Sequence, residues 1–391
     1  MSDTRPRRRL GQDLGKAFWR DLFNWRTRGL EFADVTVYPT QHLVFGNFAR
    51  IFRGGPDWPY FPVQTILRHC RGPIPLPCDS RPETSDAPPD RAGPALWCGA
   101  ITPHFGHMIA DFGTRLPASG RFDPDLPLVF SIWDRPGAEP PPAFWQMIDH
   151  LGIARGRVRL VRRPTRFARL RALPQGERLA GGLPSRRHLE LLDAIAGPAP
   201  EPDLGFVYVS RARLAQGRIA GEGVLESALA AAGVRVFHPE RATLAAQIAL
   251  YRRARHLVFA EGSALHALQL VGRIAGEVSV LARRPRTLMG AALLLRRTPR
   301  LRYLRAVRGL VCGLRPDGSP HHAAGISVLD PGRGLAEFAR AGIDLAPHWD
   351  DEAFAQATAA DVAAWAASRG GAHPDERAHI AAQLRALKLS N

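Results

Sequence analysis

Lysine is almost missing from this chain: among its 391 residues only Lys16 and Lys388 carry an ammonium group. The positive charge is therefore nearly all arginine, with 53 Lys+Arg against 36 Asp+Glu and a net charge of +17. Heavy use of alanine, glycine and proline beside arginine points to a GC-rich genome, which weakens a nucleic-acid reading of that charge. What remains is a general attraction for phosphates and anionic surfaces. A P-loop is excluded, because neither lysine follows a glycine-rich turn. The four cysteines, Cys70, Cys78, Cys98 and Cys312, form no CxxC pair and no zinc spacing, as expected of plain thiols in a reducing compartment. No apolar run reaches the roughly 18 residues of a membrane span, and the basic N-terminus lacks an apolar signal core. The expected location is the cytoplasm, with peripheral contact at the inner membrane.

Other motifs fail on spacing. Gly221-Glu-Gly223-Val-Leu-Glu226 lacks the third glycine of a dinucleotide fingerprint and does not directly follow a strand. Glu261-Gly-Ser-Ala-Leu265 lacks the spacing of a nucleophile elbow. Asp123-Pro-Asp125 precedes its strand, where a metal-binding carboxylate pair should follow one, and reads as a turn. His321-His322 reads as a solvated pair. No metal or cofactor is expected.

The length allows two domains. Leu10, Leu14, Phe18, Leu22 and Trp25 recur at helical spacing among arginines. That segment suits a membrane-surface helix, or a helix docked on its own domain or on a second subunit. Short strands follow over 31–70, clearest at Val35–Tyr38 and His42–Phe45. A Pro-, Asp- and Ser-rich surface loop covers 71–94, and Ala95–Cys98 returns to strand. Residues 102–116, wound at about 100° per residue, place Phe105, Ile109, Phe112 and Leu116 on one face. His104, His107, Asp111 and Arg115 share another. His107 and Asp111, at i and i+4, can hydrogen-bond, and a His–carboxylate pair can take a proton from a hydroxyl. The alternative is a solvated polar face on a core helix.

Gly197-Pro-Ala-Pro-Glu-Pro202 reads as a linker. Beyond it, strands at 206–211, 234–237, 256–260 and 277–281 alternate with helices at 223–232, 243–253, 264–270 and 288–295. That rhythm predicts a parallel, doubly wound sheet. Ligands of such sheets sit beyond the carboxyl ends of the strands. One edge thus collects Ser210 and Arg211, His238 and Glu240, and Glu261, Gly262 and Ser263. A glycine between strand and helix permits close approach of a ligand, and the helix start can hold a phosphate. From Leu335 the Ala-rich chain predicts two or three helices packed across both domains or in an oligomer contact.

Three segments carry a likeness. Phe105-Gly-His-Met-Ile-Ala-Asp111 is similar to a Gly-His-(apolar)-acidic helix, and Val209-Ser-Arg211 to a strand-end Ser-Arg. His238-Pro-Glu240 through Thr243-Leu and Gln247 to Glu261-Gly-Ser-Ala-Leu265 is similar to a Pro-Glu, Gln-containing helix and Gly-Ala/Ser-x-Leu turn. In this order the chain resembles a family 61 glycosyltransferase of the bacterial, surface-polysaccharide kind over about residues 95–285. The turn departs from the His-Gly-Ala-Gly-Leu-Thr-Asn of eukaryotic members, with Glu261 at the His and Ala267 at the Asn.

The resemblance implies an α/β protein of two Rossmann-like domains facing across a cleft in a GT-B arrangement, with a C-terminal helical extension. The boundaries expected are a basic amphipathic segment at 1–30, an acceptor-side domain at 31–197, a nucleotide-sugar domain at 203–330 and helices at 331–391. It implies inverting, metal-independent transfer of a hexosyl or pentosyl group from a nucleotide sugar, UDP-linked, to a glycan or lipid-linked glycan acceptor. The donor would meet Ser210, Arg211, His238, Glu240, Gln247, Glu261, Gly262, Ser263 and His266. His107 and Asp111 would be catalytic, either being the base, with His104 and Arg115 on the acceptor side. Two other classes compete: a catalytically degenerate glycan-binding or scaffolding protein of the same fold, and a basic nucleic-acid-binding protein. The arginines are spread over the whole chain rather than set in a stripe with exposed aromatics, so no nucleic-acid partner is expected; a homo-oligomer remains open.

Deleting residues 1–28 is expected to release the protein from membranes on fractionation. An unchanged distribution would remove the membrane role of that segment.

Overall fold

The computed structural model describes residues 29–45, 50–59, 70–71, 74–75, 78–80, 82–84, 88–178, 183–369 and 372–389. The expected helix at 10–25 lies outside them. The chain divides into two compact units, Met1–Ile195 and Ala196–Asn391.

The first unit is built on a mixed sheet. Its strands are β1 (Leu30–Phe45), β2 (Arg50–Pro56), β5 (Cys78–Ser80), β6 (Asp90–Ala92), β7 (Ala95–Ala100), β8 (Leu128–Ser131), β9 (Val158–Val161) and β10 (Thr165–Ala172), while β3 (Cys70–Arg71) and β4 (Ile74–Pro75) pair apart. The order is β5-β2-β1-β10-β7-β8-β9, with β6 also on β10. From β10 to β9 all neighbours are parallel, whereas β1 pairs antiparallel with both β10 and β2. A Rossmann-like first domain was expected; its parallel strands are instead joined to an antiparallel β1–β2 hairpin. The two strands read at 35–38 and 42–45 are one strand. The β1–β2 register shifts between Tyr38 and His42, where Pro39 has no N–H to offer the ladder. All six residues of β7 are buried, as expected of a parallel strand covered on both faces. Val35, Val37, Trp58, Trp97, Val129, Phe167 and Leu170 form the core around it.

The second unit carries β11 (Leu204–Val209), β12 (Arg235–Phe237), β13 (Ala254–Ala260), β14 (Glu277–Leu281) and β15 (Leu301–Leu304), all parallel, in the order β12-β11-β13-β14-β15. Counted within the unit, this is the order 2-1-3-4-5. The direction of winding reverses between β11 and β13, so the crevice for a ligand lies at their carboxyl ends. The helix Leu244–Arg253 starts where the Thr243 hydroxyl accepts from Ala246 N–H at 3.2 Å, as its sequence predicts.

Several elements differ from expectation. The helix read at 264–270 is a 3₁₀ helix, Ser263–Leu270. That at 288–295 shrinks to Ala291–Leu294. Strand β15 and the antiparallel hairpin β16 (Val307–Val311) and β17 (Ile326–Leu329) were not read from the sequence. The C-terminal helices Pro331–Arg340, Asp351–Ala367 and Glu376–Ala386 pack on the second unit's own strands. Phe338 and Phe354 join Tyr208, Leu229, Val258 and Leu281 in one core. Val362, Trp365 and Ile380 cover Val311 and Ile326 of the hairpin.

Phe338, 1% exposed, holds the helix Pro331–Arg340 to that core. Phe338→Ala is expected to cost about 3–5 kcal/mol in equilibrium denaturation of the second unit. A loss within about 0.5 kcal/mol, the range of surface changes, would show that the helix docks without it.

Candidate functional site

In the first unit, the segment expected as one regular helix changes its winding along its length. Phe105–His107 is α-helical, Met108–Phe112 is a π turn, Gly113–Arg115 is 3₁₀ and Leu116–Phe122 is α-helical again. The π turn closes where Gly113 N–H donates to Met108 O. A Cβ at 113 would press on that carbonyl and on Met147 Sδ, so glycine fits there. Helix-poor Gly106, Gly113 and Pro117 leave such a segment open to irregular winding.

His107 and Asp111 meet as the spacing predicts, with Nδ1 and Oδ2 2.6 Å apart. The imidazole side chain is 20% exposed and the carboxylate 0%. A carboxylate on Nδ1 fixes the orientation of the ring. His104 is exposed; its Nδ1 accepts from His107 N–H at 3.3 Å and its ring lies 4.4 Å from that of His107. Arg115 departs from expectation. It is fully buried and acts on the buried Cys98 thiol, which burial pushes up to about 12. Arg115 lies in the interior, as does Asp111.

In the second unit, the carboxyl ends of β11 and β13 bring Arg211 and Gly262 together. Gly262 is extended, with φ 174° and ψ −170°. Its glycine identity comes from space instead: a Cβ there would fall on the Arg211 guanidinium. Arg211 is 9% exposed. Its Nε donates to Gly217 O at 2.7 Å and its backbone N–H to Glu222 Oε1 at 2.9 Å. Glu222 also receives the Tyr208 hydroxyl at 2.8 Å and lies 3.3 Å from Ser210 Oγ. Ser210 Oγ bonds Glu226 as well. Glu226 lies 3.7 Å from His238 Nε2, and Glu240 lies 3.8 Å from His238 Nδ1.

Three buried polar atoms along this chain of contacts have no hydrogen-bond partner among the described residues: Glu222 Oε2, His238 Nδ1 and Gln247 Oε1. Burying such atoms unpaired costs about 1–3 kcal/mol each, so their clustering at one sheet edge marks a place where a ligand could complete them.

Three expected ligand contacts are engaged elsewhere. Gln247 donates to Pro239 O at 2.9 Å and Ala242 O at 3.2 Å, which shapes the turn after β12. His266 is 3% exposed, its Nδ1 2.7 Å from Gln269 Oε1, and it faces the interior. Glu261 is fully buried and accepts from Arg283 N–H at 2.8 Å and Arg284 Nε at 2.6 Å. It anchors the backbone after β14 and presents no free carboxylate. Arg283, Arg284, Glu222 and Glu226 were missed. The first two sit just past the carboxyl end of Glu277–Leu281, where the edge rule that found Arg211 would have found them. The glutamates belong to the stretch set aside as a failed glycine fingerprint.

Burial lowers the basicity of Arg211 and of Arg283, and for Arg283 the nearby Arg211 and Arg284 add to that pressure. Crowded cations of this kind gain from a multiply charged anion. Among the described residues no group of three or more His, Cys, Asp or Glu side chains is gathered as for a metal ion. Asp123 and Asp125 form a turn closed by Asp125 N–H on Asp123 Oδ1 at 3.0 Å. No described helix is long and apolar enough to cross a membrane.

Residues 105–271 match the family model Glycosyltransferase 61. The family read from the motifs is the family matched. Its match opens at Phe105, just before His107, and closes at Val271, just after the Gly262 turn. It supports a transferase that uses a sugar donor and a glycan acceptor. No match to a curated protein reaches significance. Within the glycosyltransferase 61 segment lie His107, Asp111, Arg211, Glu222 and His238 alike, while Arg283 and Arg284 fall beyond it.

Burial, ahead of its hydrogen bonds, raises the Glu222 carboxyl above the usual carboxylate range. The folded chain therefore holds this proton more tightly than the unfolded one. Stability from that proton is complete below the unfolded value of about 4.3 and is lost as pH rises through the raised folded value. Relative to Glu222→Gln, the wild type is expected to lose stability between about pH 4.5 and the folded value. Parallel denaturation curves across that range would show the carboxyl to be unshifted.

Proposed function

We propose that this protein is an inverting, metal-independent glycosyltransferase that takes a nucleotide sugar at the β11–β13 switch point and activates its acceptor with the His107–Asp111 pair. The observation that carries the donor half is the seating of the Arg211 guanidinium on the Gly262 backbone, with Arg284 beside it. A diphosphate would rest at Gly262 and Ser263, whose 3₁₀ start offers N–H groups without intrahelical acceptors. Arg211 and Arg284 would stabilise the charge that grows on the leaving diphosphate. The unpaired atoms of Glu222, His238 and Gln247 supply polar partners for the ribose or base, and Glu240 lines the same edge.

For the acceptor half, Asp111 holds the imidazole and His107 Nε2 takes the hydroxyl proton. The acceptor oxygen then attacks the anomeric carbon from the face opposite the diphosphate. The C–O bond to the diphosphate breaks as the new one forms, so the configuration inverts. On the family resemblance, the acceptor is a glycan or lipid-linked glycan of a bacterial surface polysaccharide, and the first donors to test are UDP-linked.

Thermal melting with UDP and UDP-sugars tests the donor site. A ligand at about one hundred times its Kd adds about 2.7 kcal/mol to stability. Gly262→Ala and Arg284→Ala are expected to abolish the rise. His107→Ala is expected to keep it while lowering turnover about 10²- to 10⁴-fold. If no nucleoside diphosphate stabilises the wild type, the donor site is wrong; full turnover in His107→Ala would remove the base. Binding without any transfer or donor hydrolysis would make the protein a glycan binder of this fold.

A further inference from the structure

The first unit also holds a cleft of about 550 Å³ that none of the residues assigned above lines. That volume suits a small-molecule site. Its walls carry Arg157, Arg159, Arg162 and Arg163 against a single carboxylate, Asp90. The sequence behind it is Arg157-Val-Arg159-Leu-Val-Arg162-Arg163, which runs through β9 into the turn before β10. Val161 is buried and Arg159 is exposed on the same strand.

The four guanidinium groups are held differently. Arg157 donates to Gly120 O at 2.7 Å, Asp123 O at 2.6 Å and Leu126 O at 3.0 Å. These carbonyls fix its position and leave its charge uncancelled. Arg159 has no hydrogen bond or ion pair among the described residues. Arg162 pairs with Glu139 at 2.7 Å, with side chains 44% and 70% exposed. Arg163 pairs with Asp90 at 3.2 Å, with side chains 78% and 48% exposed. Ion pairs this open contribute little, so an incoming anion can replace them at small cost. Guanidinium forks match phosphate oxygens two at a time.

We propose that this cleft is an anion site of its own, built for a diphosphate group and separate from the nucleotide-sugar site. Arg157 supplies a fixed charge at the wall. Arg159 and Arg163 each have donors to give, one phosphate apiece, and Arg162 exchanges Glu139 for the ligand. The diphosphate can belong to a free anion or to the head of a prenyl diphosphate.

Calorimetric titration of the full chain with inorganic diphosphate tests the site. The double variant Arg159→Ala/Arg163→Ala changes only exposed side chains and is checked for folding by circular dichroism. It is expected to weaken a binding event at least about tenfold, the effect of one lost charged hydrogen bond or more. Arg284→Ala is expected to leave that same event intact. Phosphatidylcholine vesicles with and without farnesyl diphosphate separate the sources. Binding of the free anion, or binding only to the doped vesicles, supports the site and names its source. Diphosphate binding that survives the double variant overturns the proposal. If that binding disappears in Arg284→Ala instead, the nucleotide-sugar reading stands without this cleft.

Discussion

The second unit depends on a guanidinium occupying the place of a side chain. Arg211 lies where any Cβ at position 262 would have to go. That single contact joins the ends of β11 and β13 across the switch in winding. Everything else at the edge is arranged to keep it there. Gly217 O holds Nε, and Glu222 holds the Arg211 backbone. Glu222 is in turn held by Tyr208 from within the sheet. The glycine needs no left-handed backbone for this role; it needs only to lack a methyl group.

Charge at this edge is nearly balanced, yet it is unevenly committed. Glu261 is spent inside the protein on Arg283 and Arg284, and Glu222 on Tyr208 and Arg211. The carboxylates are deeper than the cations they face: Glu261 is fully buried, whereas the Arg284 side chain is 25% exposed. Of the Glu261–Arg284 pair, the arginine is the member solvent reaches. Burial of both charges keeps the arrangement dependent on its hydrogen bonds, since an unpaired buried charge costs far more than a paired one gains.

The parallel sheet was legible because its strands are short apolar runs set between amphipathic helices, and because the edge rule needs only their order. The same rule placed Ser210, Arg211, His238, Glu240 and the Gly262 turn on one rim. The His107–Asp111 pair was legible from i, i+4 spacing, which survives the change of winding between them. The burial of Arg115 was not legible, because a charged residue in a helical pattern reads as a solvated position. The hairpin in the first sheet was hidden by a bulge at Pro39, which splits one strand into two short apolar runs. Glu261 was placed correctly and misjudged in role: sequence order puts a carboxylate at the rim, and only the fold reveals that it points inward to Arg284. Glu222 was overlooked because a failed motif drew attention away from its charge.

The lock between Glu261 and the backbone of Arg283 and Arg284 ties together two stretches of the gene 22 residues apart. Exchanging the acid at 261 for the histidine of eukaryotic members would leave two backbone N–H groups and a guanidinium without their acceptor. Drift at one end is therefore tolerated only alongside drift at the other. Descendants of this sequence should inherit both ends together, and a natural hybrid carrying one without the other would be rare.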